Sequence, residues 1–450
     1  FLSNYYKNRS AESIASEVQA NGFDCVHYLV LDYEKIDAQL IDELHKRNIG
    51  VWAGVFATSV YGPRSFLPEK GKNMEMEFVN QDQHSLTHVS FIHEKYRQAM
   101  KTMLVKFLKK YPFDGFTFME THFPVLGSPE HPEASFGDIS PAFQEHFKKE
   151  TGNKHFPDFK DPANPNYFNN NIGLFRELAE FRVKVANDFY DEIVNGENGL
   201  RENFPGIVIG TWSMALDKPD ALEFLRTWEG QDAASMVRRV KPDVHFFQTH
   251  WPDWIRADLP PDYAKKYKPF VDCVKKVAPG ISIGLQGDIG SKNFMRKTGD
   301  WYKDYTVYCN EAGFDTTTIY EFVLRWEVYL HPPKLFASVL EEKGKIKLIF
   351  DQVIDANSSK KLIGKHITDF ARDKKYKITN VETDGNMLIV TTEGNPLPGE
   401  MLSFPIGGIS DAPELRFPIN SSAKGATEKY GASNSIPPDN FQFALLEKSH

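Results

Sequence analysis

Up to residue 335 the chain alternates between two hydrophobic patterns. Short, nearly unbroken apolar runs are separated by longer stretches in which apolar residues recur every three or four positions. The first pattern is that of a strand buried on both faces, the second that of an amphipathic helix. Strands are predicted at 23–32 (FDCVHYLVLD), 51–57, 113–119, 206–214, 243–251, 280–288 and 315–322. Helices are predicted between them at 10–21, 37–50, 93–112, 172–195, 231–241, 267–278 and 300–313. Ser10 is a suitable N-cap, Gly50 a stop and Pro112 a break. Doubly buried strands joined through helices form parallel sheets. Residues 1–5 read as the end of a further strand, which makes eight β/α units and fits a (β/α)8 TIM barrel. An open doubly wound sheet fits less well, because no glycine-rich phosphate turn follows any strand.

Beyond residue 340 the period drops to two, at 345–355, 375–383, 386–394 and 399–406. Asp384-Gly385 between two of these runs is a hairpin signal. The expectation is a catalytic barrel over 1–338 and a small all-β sandwich over 339–450, with 418–440 extended.

Composition narrows the partners. A net charge of −8 argues against nucleic acid and anionic membrane surfaces, and no apolar run is long enough to span a bilayer. Cys25, Cys273 and Cys309 are odd in number and far apart, which predicts buried thiols. No metal ligands have diagnostic spacing, so neither metal nor cofactor is expected. The first residue is Phe1 rather than Met, which reads as processing or truncation. An extracellular or periplasmic location is expected, with a signal peptide already removed.

In parallel barrels the chemistry sits at the C-terminal strand ends. Here those ends collect carboxylates, aromatics and amides. The stretch FDGFTFMETHFP (113–124) ends in Glu120 and His122. Asp288 shares a strand face with Ser282, Gly284 and Gln286, whose small or polar character marks the lumen. Glu321 closes the last strand. Glu120, Glu321 and Asp288 are the candidate catalytic acids. Strict alternation puts Glu120 on the face of Phe116 and Phe118, so it reaches the site only from a bulge or from the loop. Candidate substrate binders are His122, Trp212, Gln248, His250, Trp251, Trp254, Gln286, Arg325 and Trp326. Aromatic rings and amides suit a carbohydrate substrate. Glycoside hydrolysis commonly needs two carboxyl groups about the scissile bond. No H-E-x-x-H motif offers a competing chemistry. Each acid also has a plain structural reading: a rim ion pair for Glu120, a helix cap for Asp288, and pairing with Arg325 for Glu321.

The run from GVWAG (50–54) to YPFDGFTFMETHFP (111–124) resembles bacterial glycoside-hydrolase-like barrels with a catalytic acid on the fourth strand. ISPAFQEHFKKETGNKHFPDF (139–159) is similar to the segment after that strand in β-galactosidase-like barrels. In many of these barrels an Asp occupies the place of Met119, with Glu120 one residue on. The resemblance covers about the first 335 residues, while 345–411 resembles bacterial Ig-like modules. It implies a two-carboxylate glycoside hydrolase. The rival readings are a non-catalytic carbohydrate-binding barrel and a barrel lyase or isomerase with His250 as base. The last would need a metal or a basic cluster, toward which only Arg64 and Arg325 point.

Overall fold

The computed structural model describes residues 4–62, 74–80, 86–125, 130–295, 297–320, 322, 331–412 and 433–448. Arg64, Glu321, Arg325 and Trp326 lie outside them. The first unit is a seven-stranded parallel sheet in sequential order. Its strands are β1 (Cys25–Val30), β2 (Gly50–Phe56), β3 (Gly115–Met119), β4 (Val208–Ala215), β5 (Val244–Thr249), β6 (Ser282–Asp288) and β7 (Thr316–Tyr320). The helices are α1 (Ala11–Ala20), α2 (Ala38–His45), α3 (Glu94–Lys110), α4 (Pro141–Thr151), α5 (Ile172–Val194), α6 (Leu200–Asn203), α7 (Ala221–Glu229), α8 (Ala233–Val240), α9 (Trp251–Trp254), α10 (Lys268–Val277) and α11 (Gly299–Ala312). Ser10 caps α1 as expected, accepting from the Ser13 N–H.

The expected eighth strand at residues 1–5 is corrected. Asn4–Tyr6 form a 3-10 turn, and residues 1–3 lie outside the described set. Two neighbouring tyrosines on a tight turn pack edge to face, with ring centroids 5.2 Å apart, rather than on opposite faces of a strand. Among the described residues β1 and β7 are therefore edges of a curled sheet.

The strands are held in register at their N-terminal ends by aspartates. The Asp114 carboxylate accepts from Val51 N at 2.7 Å, Asp243 from Ile209 N at 2.8 Å, and Asp315 from Ile283 N at 2.8 Å. Each of these aspartates directly precedes a strand and caps its neighbour, which satisfies an otherwise unpaired terminal N–H. The sheet interior is filled by rings. Trp212 stacks on Phe246 at 5.1 Å, and His27 lies 4.9 Å from Phe246 and 5.3 Å from Trp52. Gly115 and Gly284 make room for them. A Cβ at either position would meet Trp52 or Phe246 at 2.4 Å. The opposite faces of the strands pack on helices, as where Phe118 meets Tyr190 of α5.

The second unit departs from the expected sandwich. It is a closed seven-stranded barrel in the order β10-β11-β12-β9-β8-β14-β13. Its strands are β8 (Leu335–Glu342), β9 (Lys345–Phe350), β10 (His366–Asp369), β11 (Lys374–Asp384), β12 (Met387–Glu393), β13 (Met401–Phe404) and β14 (Gln442–Lys448), with a short α12 (Ala356–Ser359). Closure comes from β14, which pairs antiparallel to β13 and parallel to β8. A closed barrel leaves no sheet edge exposed. The predicted hairpin is present, with Asp384 opposite Met387. Its tip docks on α1. Buried Asn386 accepts from Ser13 Oγ at 2.9 Å, and its amide donates to Phe350 O at 2.8 Å.

Candidate active site

A cavity of about 730 Å³ opens at the C-terminal ends of the strands. It gathers Glu120, Gln248, Trp254, Gln286 and Asp288 from the predicted set, together with Asp32, Tyr61 and Tyr320. The curl of the sheet brings β1, β2, β3, β5, β6 and β7 to one mouth, so residues far apart in sequence share it.

Glu120 enters this cavity through its backbone. β3 ends at Met119. Glu120 follows it in the left-handed region with φ 53°. That conformation breaks the alternation that would have sent the side chain outward with Phe116 and Phe118. It costs a non-glycine residue about 1–2 kcal/mol and persists only where the surroundings impose it. Upstream, the Met119 carbonyl accepts from Ala57 N at 3.1 Å. The carboxylate accepts from Ser59 Oγ at 3.0 Å and from the Tyr61 hydroxyl at 3.2 Å. Burial, followed by the Glu120 charge, raises the Tyr61 phenol well above its ordinary pKa, so Tyr61 stays a donor.

Asp288 ends β6 on the lumen face, as its alternation with Gln286 predicts. Its Oδ1 accepts from Gly290 N at 3.0 Å and Ser291 N at 2.9 Å, and its Oδ2 bonds Ser291 Oγ. These contacts define an Asx turn. Burial raises its pKa despite these donors.

Other predicted residues lie elsewhere. Trp212 is buried inside the sheet, and its indole donates to Gln248 Oε1 at 2.9 Å. It therefore orients an amide of the mouth from below. Trp251 is half-buried and outside the cavity lining, whereas Trp254, at the other end of α9, lines the cavity. His122 and His250 are buried behind the mouth. Both bind Glu229, which the sequence reading missed. His122 Nδ1 lies 2.9 Å from Glu229 Oε2, and His250 Nε2 lies 2.6 Å from Oε1. The Trp251 N–H donates to His250 Nδ1 at 2.8 Å, so the His250 ring carries its proton on Nε2, toward Glu229. Burial alone would raise the Glu229 pKa. His250 and His122 outweigh it and hold the carboxylate at about 2. The sequence did carry a signal, because Glu229 ends a helix just before a glycine. An acid is disfavoured there by the helix dipole.

Among the described residues no group of three or more His, Cys, Asp or Glu is placed to hold a metal ion. No helix among them is long and apolar enough to cross a membrane.

No protein-family model matches the chain, and no curated protein matches it. Several solved structures are similar. A β-galactosidase from the psychrophilic Marinomonas ef1 aligns at 14% identity over 71% of this chain and 52% of that one, with a TM-score of 0.44. Alpha-L-fucosidase isoenzyme 2 from Paenibacillus thiaminolyticus aligns at 10% identity over 71% and 43%, with a TM-score of 0.43. A psychrophilic glycoside hydrolase family 10 endo-beta-1,4-xylanase aligns at 12% identity over 71% and 89%, with a TM-score of 0.34. The chain thus spans about half the length of the β-galactosidase and less than half that of the fucosidase.

Proposed function

We propose that the chain is a glycoside hydrolase acting on a poly- or oligosaccharide at the mouth cavity. The observation that carries the reading is Glu120. A strained backbone turns it into a cavity that also holds Asp288, an aromatic platform and two amides. Strain of this kind clusters at functional sites. Glu120 in its acid form would protonate the glycosidic oxygen. Ser59 and Tyr61 fix its direction while it is ionised. Asp288, or Glu321, which follows Tyr320 in the sequence, would attack the anomeric carbon or activate water. A carboxyl separation of ~5–5.5 Å gives retention and ~6.5–9.5 Å inversion. Trp254 would stack against a sugar face, and Gln248 and Gln286 would bind hydroxyls. Trp212 supports this from beneath by orienting Gln248.

A second reading, a carbohydrate-binding barrel without catalysis, is favoured by Asp288. Its oxygens accept three hydrogen bonds within its own turn, which weakens it as a nucleophile. A glycan panel comparing wild type with Glu120→Gln, Asp288→Asn and Glu321→Gln separates the two. Hydrolysis that collapses in Glu120→Gln and in one of the other variants supports the hydrolase. Tight binding without product from wild type supports the binding barrel.

A further inference from the structure

Glu229 is not part of the mouth cavity's lining, yet it is a fully buried acid at the end of α7. The helix dipole opposes a negative charge there, and burial adds a desolvation cost. A site needing only packing would be filled at lower cost by an apolar side chain. The carboxylate does something an apolar group cannot. Its two oxygens take one N–H from each of two imidazoles, and those imidazoles belong to different strand ends. His122 is two residues beyond Glu120, in the loop after β3. His250 follows β5 and begins the turn that carries Trp254. The Glu229 carbonyl also accepts from Phe123 N at 3.0 Å. Phe123 in turn lies under the Arg182 guanidinium, at 4.5 Å.

From these contacts we infer that Glu229 is a positioning residue for Glu120, resting on the reading that Glu120 is the acid of the mouth. Met119 is held from upstream by Ala57, and His122 and Phe123 are held from downstream by Glu229. Glu120 is bracketed between fixed points and has to span them in the left-handed conformation. The same carboxylate ties this loop to the one bearing Trp254, so the acid and the platform share an anchor. Arg182 secures the anchor by donating to the Thr227 and Trp228 carbonyls at 3.1 and 3.0 Å, in the last turn of α7.

The test exploits the geometry of amide mimics. An Asn amide can replace a His Nδ1–H and a Gln amide a His Nε2–H. His122→Asn and His250→Gln therefore keep the donors to Glu229, while His122→Ala and His250→Ala remove them. Glu229→Gln keeps the shape but sets an NH2 against an imidazole N–H. The primary readout is the carbon-13 resonance of the Glu120 carboxyl and the Tyr61 ring signals at fixed pH, assigned with Glu120→Gln. We expect these signals to move in Glu229→Gln, His122→Ala and His250→Ala, and to stay in place in His122→Asn and His250→Gln. With a cleaved glycan in hand, the first group should lose about 10- to 100-fold in kcat with KM within about twofold, as expected for a misplaced reacting group. The inference is overturned if Glu229→Gln leaves the Glu120 and Tyr61 signals unmoved. It is equally overturned if His122→Asn is as damaging as His122→Ala, because the ring itself would then be the functional part. Should Glu229→Gln not fold, the paired His variants decide alone. If wild type cleaves no glycan, the proposed hydrolase fails while the resonance comparison still reports on the anchor.

Discussion

Ser59 Oγ and Glu120 Oε2 lie 3.0 Å apart, joining the turn after β2 to the turn after β3. The contact exists only because Glu120 leaves the strand pattern, since an outward-facing side chain would meet α5 instead. It places a hydroxyl donor on a carboxylate that lines the mouth cavity. Among the described residues its partners are the neutral Ser59 and Tyr61 hydroxyls rather than the cation of a rim ion pair.

Replacing Glu120 by Gln should remove proton donation while leaving an oxygen to accept from Ser59 and Tyr61. Glycan hydrolysis should fall by about 10²- to 10⁴-fold, with little change in melting temperature. Steady-state kinetics on the best panel substrate, beside a thermal melt, checks both halves.

The left-handed backbone at Glu120 gives a second prediction, independent of any substrate. Both Glu120→Ala and Glu120→Gly lose the same side-chain contacts, but only glycine occupies φ 53° without penalty. The Gly variant should exceed the Ala variant in stability by about 1 kcal/mol. Urea unfolding of the pair measures the difference, and equal midpoints would falsify the strain.

Acid titration should reveal Glu229. Its folded pKa of about 2 lies below the ordinary 4.5, the case of a depressed carboxylate. The stability it contributes is present above 4.5 and is lost as pH falls toward 2. Glu229→Gln should be less stable at neutral pH and lose less of its stability across that window. Urea midpoints at a series of pH values from neutrality downward test this, and parallel curves would count against it.

At the junction of the two units, Gly385 has φ 57°, and a Cβ there would meet Arg9 Nε at 2.3 Å and Ser13 Oγ at 2.4 Å. Asn386 beside it is fully buried and hydrogen-bonded on both sides. Gly385→Ala and Asn386→Ala should each cost about 1–3 kcal/mol, by strain in the first case and unsatisfied partners in the second. Calorimetry should show the transitions of the two units separating as their contact weakens.

Trp254→Ala should weaken glycan binding about tenfold, roughly 1.4 kcal/mol, with kcat nearly unchanged if stacking is equal in ground and transition states. Isothermal titration with a non-cleaved oligosaccharide measures it directly.

Much of this architecture is legible along the chain, because strands buried on both faces and helices with one apolar face leave distinct periods. The strands β1 to β7, the Ser10 cap and the 384–387 hairpin all follow from local chemistry. Gln286 and Asp288 reach the mouth by simple alternation. What escapes the sequence depends on longer range or on a single dihedral angle. Tyr5 and Tyr6 look like a strand end until their turn is seen. Glu120 changes faces through one φ value. No helix is predicted at 221–229, and the acid that ends it acquires meaning only when His122 and His250 arrive from other strands. No period-two run is read beyond residue 406, yet β14 at Gln442–Lys448 completes the second barrel.

That completion has a consequence for how the chain is made. β8 opens the second barrel, but its parallel partner β14 is synthesised roughly a hundred residues later, a delay of about 5–20 s at ordinary translation rates. During that interval a nascent chain carries the outer edge of β8 unpaired, beside the seven-stranded sheet of the first unit.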